Sequence, residues 1–182
     1  MKLVILDRDG VINEDSDEFI KSVVEWQPVP GSLEAIAQLC QAGYHVYVAS
    51  NQSGIGRGLL DYDALFAIHD RMQRAVAELG GRIEAIEYAP EHPDQATEMR
   101  KPAPGMLKDL ANRLGVSLQG VPFVGDSVSD LEAATAAGAR PVLVLSGKGK
   151  STKMAHEAAE VETYADLAAF VRTLMAQTAA SA

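Results

Sequence analysis

Apolar residues follow two alternating periodicities along the chain. Residues 2–6 (KLVIL) form a short apolar run of the kind that fills a strand buried on both faces. After Pro30 and Gly31, the residues Leu33, Ile36, Ala37 and Cys40 recur at intervals of three and four, and Gly43 closes the helix they predict. Strand character returns at 44–49 (YHVYVA), and a long helical pattern covers about 61–79 with Asp61 as its N-cap. Residues 83–88 (IEAIEY) read as a third strand, followed by an irregular stretch containing Pro90, Pro93, Pro102 and Pro104. A helix near 105–114 ends at Gly115, residues 121–124 (VPFV) are strand, and a helix over 128–137 ends at Gly138. A fifth strand at 141–145 (PVLVL) and a last helix near 164–177 complete the pattern, before a small Ala/Ser/Thr tail expected to fray.

Regular alternation of strand and helix predicts an α/β fold: a three-layer, Rossmann-like sandwich around a mainly parallel sheet. No repeat or composition break marks a linker, so residues 1–182 are expected to form one domain. Ligands of such sheets bind beyond the carboxyl ends of the strands, which makes the residues just after each strand the ones to read.

Composition narrows the function classes. With 16 basic and 25 acidic side chains the net charge is −9, which argues against a nucleic-acid partner. No apolar run reaches the roughly 18 residues of a membrane span. The chain enters a strand directly after Met-Lys, so a cytoplasmic protein is expected, and a monomer. Cys40, the single cysteine, cannot form an internal disulfide and reads as a small buried hydrophobe on a helix face.

Charged and hydroxyl residues converge at the strand ends. Asp7-Arg8-Asp9-Gly10 follows the first strand, Ser50-Asn51-Gln52-Ser53-Gly54 the second, and Gly125-Asp126-Ser127 the fourth, with Asp130 four residues beyond Asp126. Arg100-Lys101-Pro102 precedes the helix after the third strand. Asp7, Asp9 and Asp126 brought together would repel one another without a cation, and a hard divalent ion such as Mg²⁺ suits their oxygen donors. Lys101, the Ser50 hydroxyl and the amides of 51–54 would cradle a dianionic phosphoryl group. One carboxylate could then attack phosphorus and a second, two residues along, could move the proton.

These motifs resemble those of the haloacid dehalogenase-like phosphatases. DRDGVIN at 7–13, SNQSGIGRG at 50–58 and RKPAPGM at 100–106 are similar to the branch that holds heptose-bisphosphate and histidinol-phosphate phosphatases. The resemblance spans about residues 3–146. It implies Asp7 as nucleophile, Asp9 as general acid/base, and Asp7, the Asp9 carbonyl and Asp126 as Mg²⁺ ligands. It further implies Ser50 and Lys101 at the phosphoryl group, Asn51, Gln52, Ser53 and Arg100 on the substrate, and a substrate-contacting loop at Asp15, Ser16, Asp17 and Glu18. The implied activity is removal of the 7-phosphate from a heptose 1,7-bisphosphate on the route to the ADP-heptose of lipopolysaccharide. Hydrolysis of histidinol phosphate or another small sugar phosphate is the alternative, and a non-catalytic phosphometabolite binder the rival of a different class.

Two features set this chain apart within that branch. Many members carry a zinc loop before the Arg-Lys-Pro motif, but Ala89, Glu91, Thr97 and Met99 stand at its ligand positions here, so no zinc is expected. No insertion long enough for a separate cap domain occurs, which leaves specificity to loops 13–28, 51–60 and 89–100, with Trp26, Arg57 and Arg100 as candidates. Gly149-Lys150-Ser151 resembles the end of a nucleotide-binding P-loop, but Val144 stands where that motif requires glycine.

Overall fold

Six strands build the sheet: β1 (Lys2–Leu6), β2 (Tyr44–Asn51), β3 (Ala85–Ala89), β4 (Pro122–Gly125), β5 (Arg140–Val144) and β6 (Glu162–Tyr164). In the computed structural model, which describes residues 1–155 and 161–180, they lie in the order β3-β2-β1-β4-β5-β6. Every pairing between them is parallel. Among the described residues six α-helices accompany them: α1 (Ser32–Gln41), α2 (Tyr62–Glu78), α3 (Gly105–Leu114), α4 (Val128–Ala137), α5 (Gly149–Ala155) and α6 (Leu167–Ala180).

Side-chain alternation along the strands divides the core into two layers. Val4 and Leu6 of β1 pack with Ile36 and Leu39 of α1, Ile68 and Met72 of α2, and Phe170 and Val171 of α6. Leu3 and Ile5 turn to the other face, against Met106, Leu107 and Leu110 of α3 and Ala133 and Ala134 of α4. This is the expected three-layer α/β sandwich, with no inserted cap domain after β1 or β3.

The helix after β1 covers one face and the helix after β4 covers the other, so the crevice of the sheet opens between these two neighbouring strands. The Asp7 N–H donates to the Val124 carbonyl at 2.8 Å, which sets the ends of β1 and β4 side by side.

Most element boundaries agree with the hydrophobic pattern, and Asp61 caps α2 by accepting from the Ala64 N–H at 2.8 Å. The sequence reading missed β6 and α5. The first is three residues long and the second lacks an apolar stripe, so neither carries a periodic signal. The last helix begins at Leu167 rather than 164, because 162–164 pair with β5, and it runs on to Ala180. The expected frayed tail is therefore helical to Ala180, and its last two residues lie outside the described ones. Cys40 is half-buried rather than buried; its thiol donates to the Arg82 carbonyl and accepts from the Arg82 N–H, both at 3.3 Å.

Candidate active site

Asp7, at the end of β1, forms the floor of a cleft of about 250 Å³. Its Oδ1 accepts from the Arg8 N–H at 2.7 Å and lies 3.0 Å from Lys101 Nζ. Lys101 is 3% exposed and has its three donors engaged: Asp7, Asp130 Oδ1 at 2.6 Å, and the Ala49 carbonyl at 2.8 Å. Burial alone would lower the lysine pKa, but Asp130 and Asp7 overcome it and hold the ammonium protonated. Asp130 faces inward because it closes a capping box at the start of α4, accepting from the Ser127 N–H and hydroxyl at 3.0 and 2.7 Å.

Asp126, at the end of β4, completes the floor. Its Oδ2 accepts from the Lys148 N–H at 2.7 Å. Gly10 and Gly147 press against the same oxygen, and both have positive φ (79° and 54°), so a Cβ at either would be strained and would collide with the carboxylate. Burial, then the neighbouring Asp7 and Asp130, raises the Asp126 pKa to about 8. Burial likewise lifts Asp7 to about 7, against the pull of Lys101.

Among the described residues, Asp7, Asp126 and Asp130 are the group of acidic or metal-ligating side chains close enough to share an ion, each offering an oxygen within 4.8 Å of the others. Asp130 is committed to Lys101 and Ser127. Asp7 and Asp126 each keep one oxygen free of the bonds just described, and their proton affinity is raised first by burial and then by neighbouring carboxylates. Such hard oxygen donors fit Mg²⁺.

Asp9 differs in kind. Its carboxylate receives four donors: Arg8 Nε at 3.0 Å and Asn13 Nδ2 at 2.8 Å on Oδ1, Arg8 Nη2 and Gln52 Nε2, each at 2.9 Å, on Oδ2. Burial would raise its pKa, but Arg8, Asn13 and Gln52 outweigh that and lower it. Asp9 lines the cleft, yet its carboxylate is outside the ion-sized group, which leaves only its backbone carbonyl for the expected metal contact.

The remaining expected residues divide. Asp15, Ser16, Asp17, Asn51, Gln52, Ser53, Arg100 and Lys101 line the cleft, whereas the Glu18 side chain does not and is exposed. Ser50 lies beneath the cleft surface, 1% exposed, its Oγ accepting from Gln52 Nε2 at 2.8 Å. Asn51 is tied to the Lys101 backbone in both directions, at 2.9 and 3.0 Å, so its amide serves as a clamp on that loop. Trp26 belongs to the core rather than the cleft, and Arg57 rests over the Phe19 ring at 5.7 Å without lining the cleft. At the positions considered for zinc, the Thr97 hydroxyl donates to Glu91 at 2.5 Å, and Arg100 donates to the Glu91 carbonyl at 3.2 Å.

Sequence reasoning missed Arg8, His69 and Lys148. Lys148 lines the cleft and pairs with Asp15 at 3.0 Å, joining the 15–17 loop to the loop that holds Asp126. It follows β5, so the strand-end rule that found the other residues applies equally to 146–148.

Comparison with known proteins shows the family. The HAD-hydrolase-like family model matches residues 98–169. The D-glycero-β-D-manno-heptose-1,7-bisphosphate 7-phosphatase of Pseudomonas putida is 53% identical over 175 residues, covering 96% of this chain and 100% of the relative. The chain belongs to the haloacid dehalogenase-like hydrolases. Within these hydrolases, the enzyme of the same name from Bordetella bronchiseptica is 56% identical over 152 residues, covering 84% of this chain and 85% of the relative. The solved structure of D,D-heptose 1,7-bisphosphate phosphatase from B. bronchiseptica, complexed with magnesium and phosphate, superposes with a TM-score of 0.95. That pair is 51% identical over 97% of this chain and 99% of the other.

Proposed function

We propose that this hydrolase is a Mg²⁺-dependent phosphomonoesterase that removes the 7-phosphate of D-glycero-β-D-manno-heptose 1,7-bisphosphate. The observation that carries the reading is the floor of the cleft: Asp7 beside the Lys101 ammonium at 3.0 Å and within ion-sharing distance of Asp126. The heptose-bisphosphate names of the relatives support the substrate. The reading places the enzyme on the route to ADP-heptose, as a single domain over 1–182.

Asp7 and Asp126, with the Asp9 carbonyl, would hold Mg²⁺, which when bound supplies positive charge to the phosphoryl oxygens. An Asp7 oxygen attacks phosphorus, the bond from phosphorus to the ester oxygen breaks, and Asp9 gives its proton to the departing sugar alkoxide. Water then attacks the aspartyl-phosphate, Asp9 takes its proton, and the acyl–phosphate bond breaks to release phosphate and restore Asp7. The four donors around Asp9 favour the carboxylate needed for the second half-reaction. A dianionic phosphate beside it raises its proton affinity for the first. Lys101 spreads the transition-state charge, while Ser53, Arg100 and the 15–17 loop meet the rest of the substrate.

Replacing Asp7 by Asn tests this reading and separates it from a binding-only protein. Turnover of heptose 1,7-bisphosphate should vanish with the fold retained, as judged by circular dichroism. Undiminished turnover, or no preference for the bisphosphate over histidinol phosphate in the wild type, would overturn it.

A further inference from the structure

Arg8 is the largest fully buried side chain among the described residues. Two of its nitrogens fork onto Asp9, and its third, Nη1, lies 3.4 Å from Nε2 of His69 on α2. A guanidinium only donates, so this contact requires the His69 Nε2 to be an unprotonated acceptor. Burial, with Arg8 adding to it, keeps the ring neutral by lowering its pKa to about 4. His69 is itself 7% exposed, and the Tyr88 ring meets it edge-on at a centroid distance of 5.9 Å. The imidazole thus has a fixed place on a rigid helix, between an aromatic wall and the one face of Arg8 that Asp9 does not occupy.

We propose that His69 is a positioning residue for catalysis: it holds the Arg8 guanidinium in the plane from which Arg8 aims the Asp9 carboxylate into the cleft. The proposal rests on the reading that Asp9 transfers the proton. Without the acceptor, the buried Nη1 loses its partner and the guanidinium must turn to find another. A bidentate fork turns its carboxylate with it, and proton transfer is sensitive to displacements well under 1 Å. His69 touches neither substrate nor metal ligands, so its loss acts on the rate of the chemical step and not on binding.

The test compares His69→Phe, which keeps a ring and removes the acceptor, with His69→Gln, which keeps an acceptor, using heptose 1,7-bisphosphate in saturating Mg²⁺. His69→Phe should lower kcat about tenfold with KM within about twofold of wild type, and His69→Gln should recover most of the loss. Should His69→Phe not fold, His69→Leu removes the acceptor equally. Wild-type kcat in the acceptor-free variant, or equal impairment of both variants, would overturn the proposal. Asp9→Asn serves as the control: if it retains turnover, the proton-transfer reading falls; if it is inactive while His69→Phe is not, only the role of His69 falls.

Discussion

Lys101 Nζ lies 2.6 Å from Asp130 Oδ1, in a pair whose side chains are 2% and 0% exposed. Neither residue is free to reorient, because Lys101 also holds Asp7 and Asp130 also caps α4. Asp130→Ala should therefore lower stability in Mg²⁺ buffer by about 3 kcal/mol, measured by urea denaturation, since it strands a buried ammonium and removes a cap. Asp130→Asn, which keeps the shape, should lower kcat/KM about tenfold through a misplaced Lys101. Unchanged kinetics in Asp130→Asn would show that Asp7 and the Ala49 carbonyl position the lysine without it.

Magnesium should stabilise this protein more strongly as pH rises. Asp7 and Asp126 have folded-state pKa values near 7 and 8, above the ordinary carboxylate range. The metal-free folded state therefore holds protons that the unfolded chain has released. That contribution to stability is complete below about pH 4 and is lost as pH climbs through these values. The cation competes with the same protons, so the Tm increment caused by MgCl₂ should be small at about pH 6 and larger at about pH 8.5. An increment independent of pH would contradict the assignment of Asp7 and Asp126 as ligands.

Gly10→Ala should impair metal use specifically. The added methyl meets the Asp126 carboxylate, at a backbone φ of 79° that alanine resists. The Mg²⁺ concentration for half-maximal activity should rise about tenfold or more. A variant that needs no more Mg²⁺ than wild type would place the ion elsewhere.

The acidic loop should show a division within its four residues. Asp15 lines the cleft and pairs with Lys148, whereas Glu18 is exposed and off the cleft. Glu18→Ala should leave kcat/KM within about twofold of wild type, and Asp15→Ala should raise KM by releasing Lys148. Equal effects in steady-state assays would return Glu18 to the substrate-binding set.

Much of the site was legible because a parallel sheet brings the carboxyl ends of adjacent strands to one edge. Asp7, Asp126 and the 50–53 segment needed only their positions after apolar runs to be grouped, and the strings around Lys101 and Arg100 named the family. Arg8 was not legible. In sequence it is one more polar residue in a turn, and its complete burial depends on Asp9 folding back onto it and on His69 arriving from α2, 61 residues away. Ser50 and Asn51 carried the right address but not their actual partners, since hydrogen-bond geometry is settled by the loops that meet them.

The order of apolar runs determined the layers, the parallel sheet and the edge where chemistry would gather, because periodicity and right-handed crossovers leave few other arrangements. Motif spacing determined which residue types would stand there. Tertiary structure alone decided that Asp9 is gripped by four donors while burial raises the proton affinity of Asp7 and Asp126, and that Trp26 packs inward and Glu18 stays outside. The physical reason is that proton affinity and hydrogen bonding depend on burial and on neighbours distant in sequence, and these exist only once the chain has closed around them.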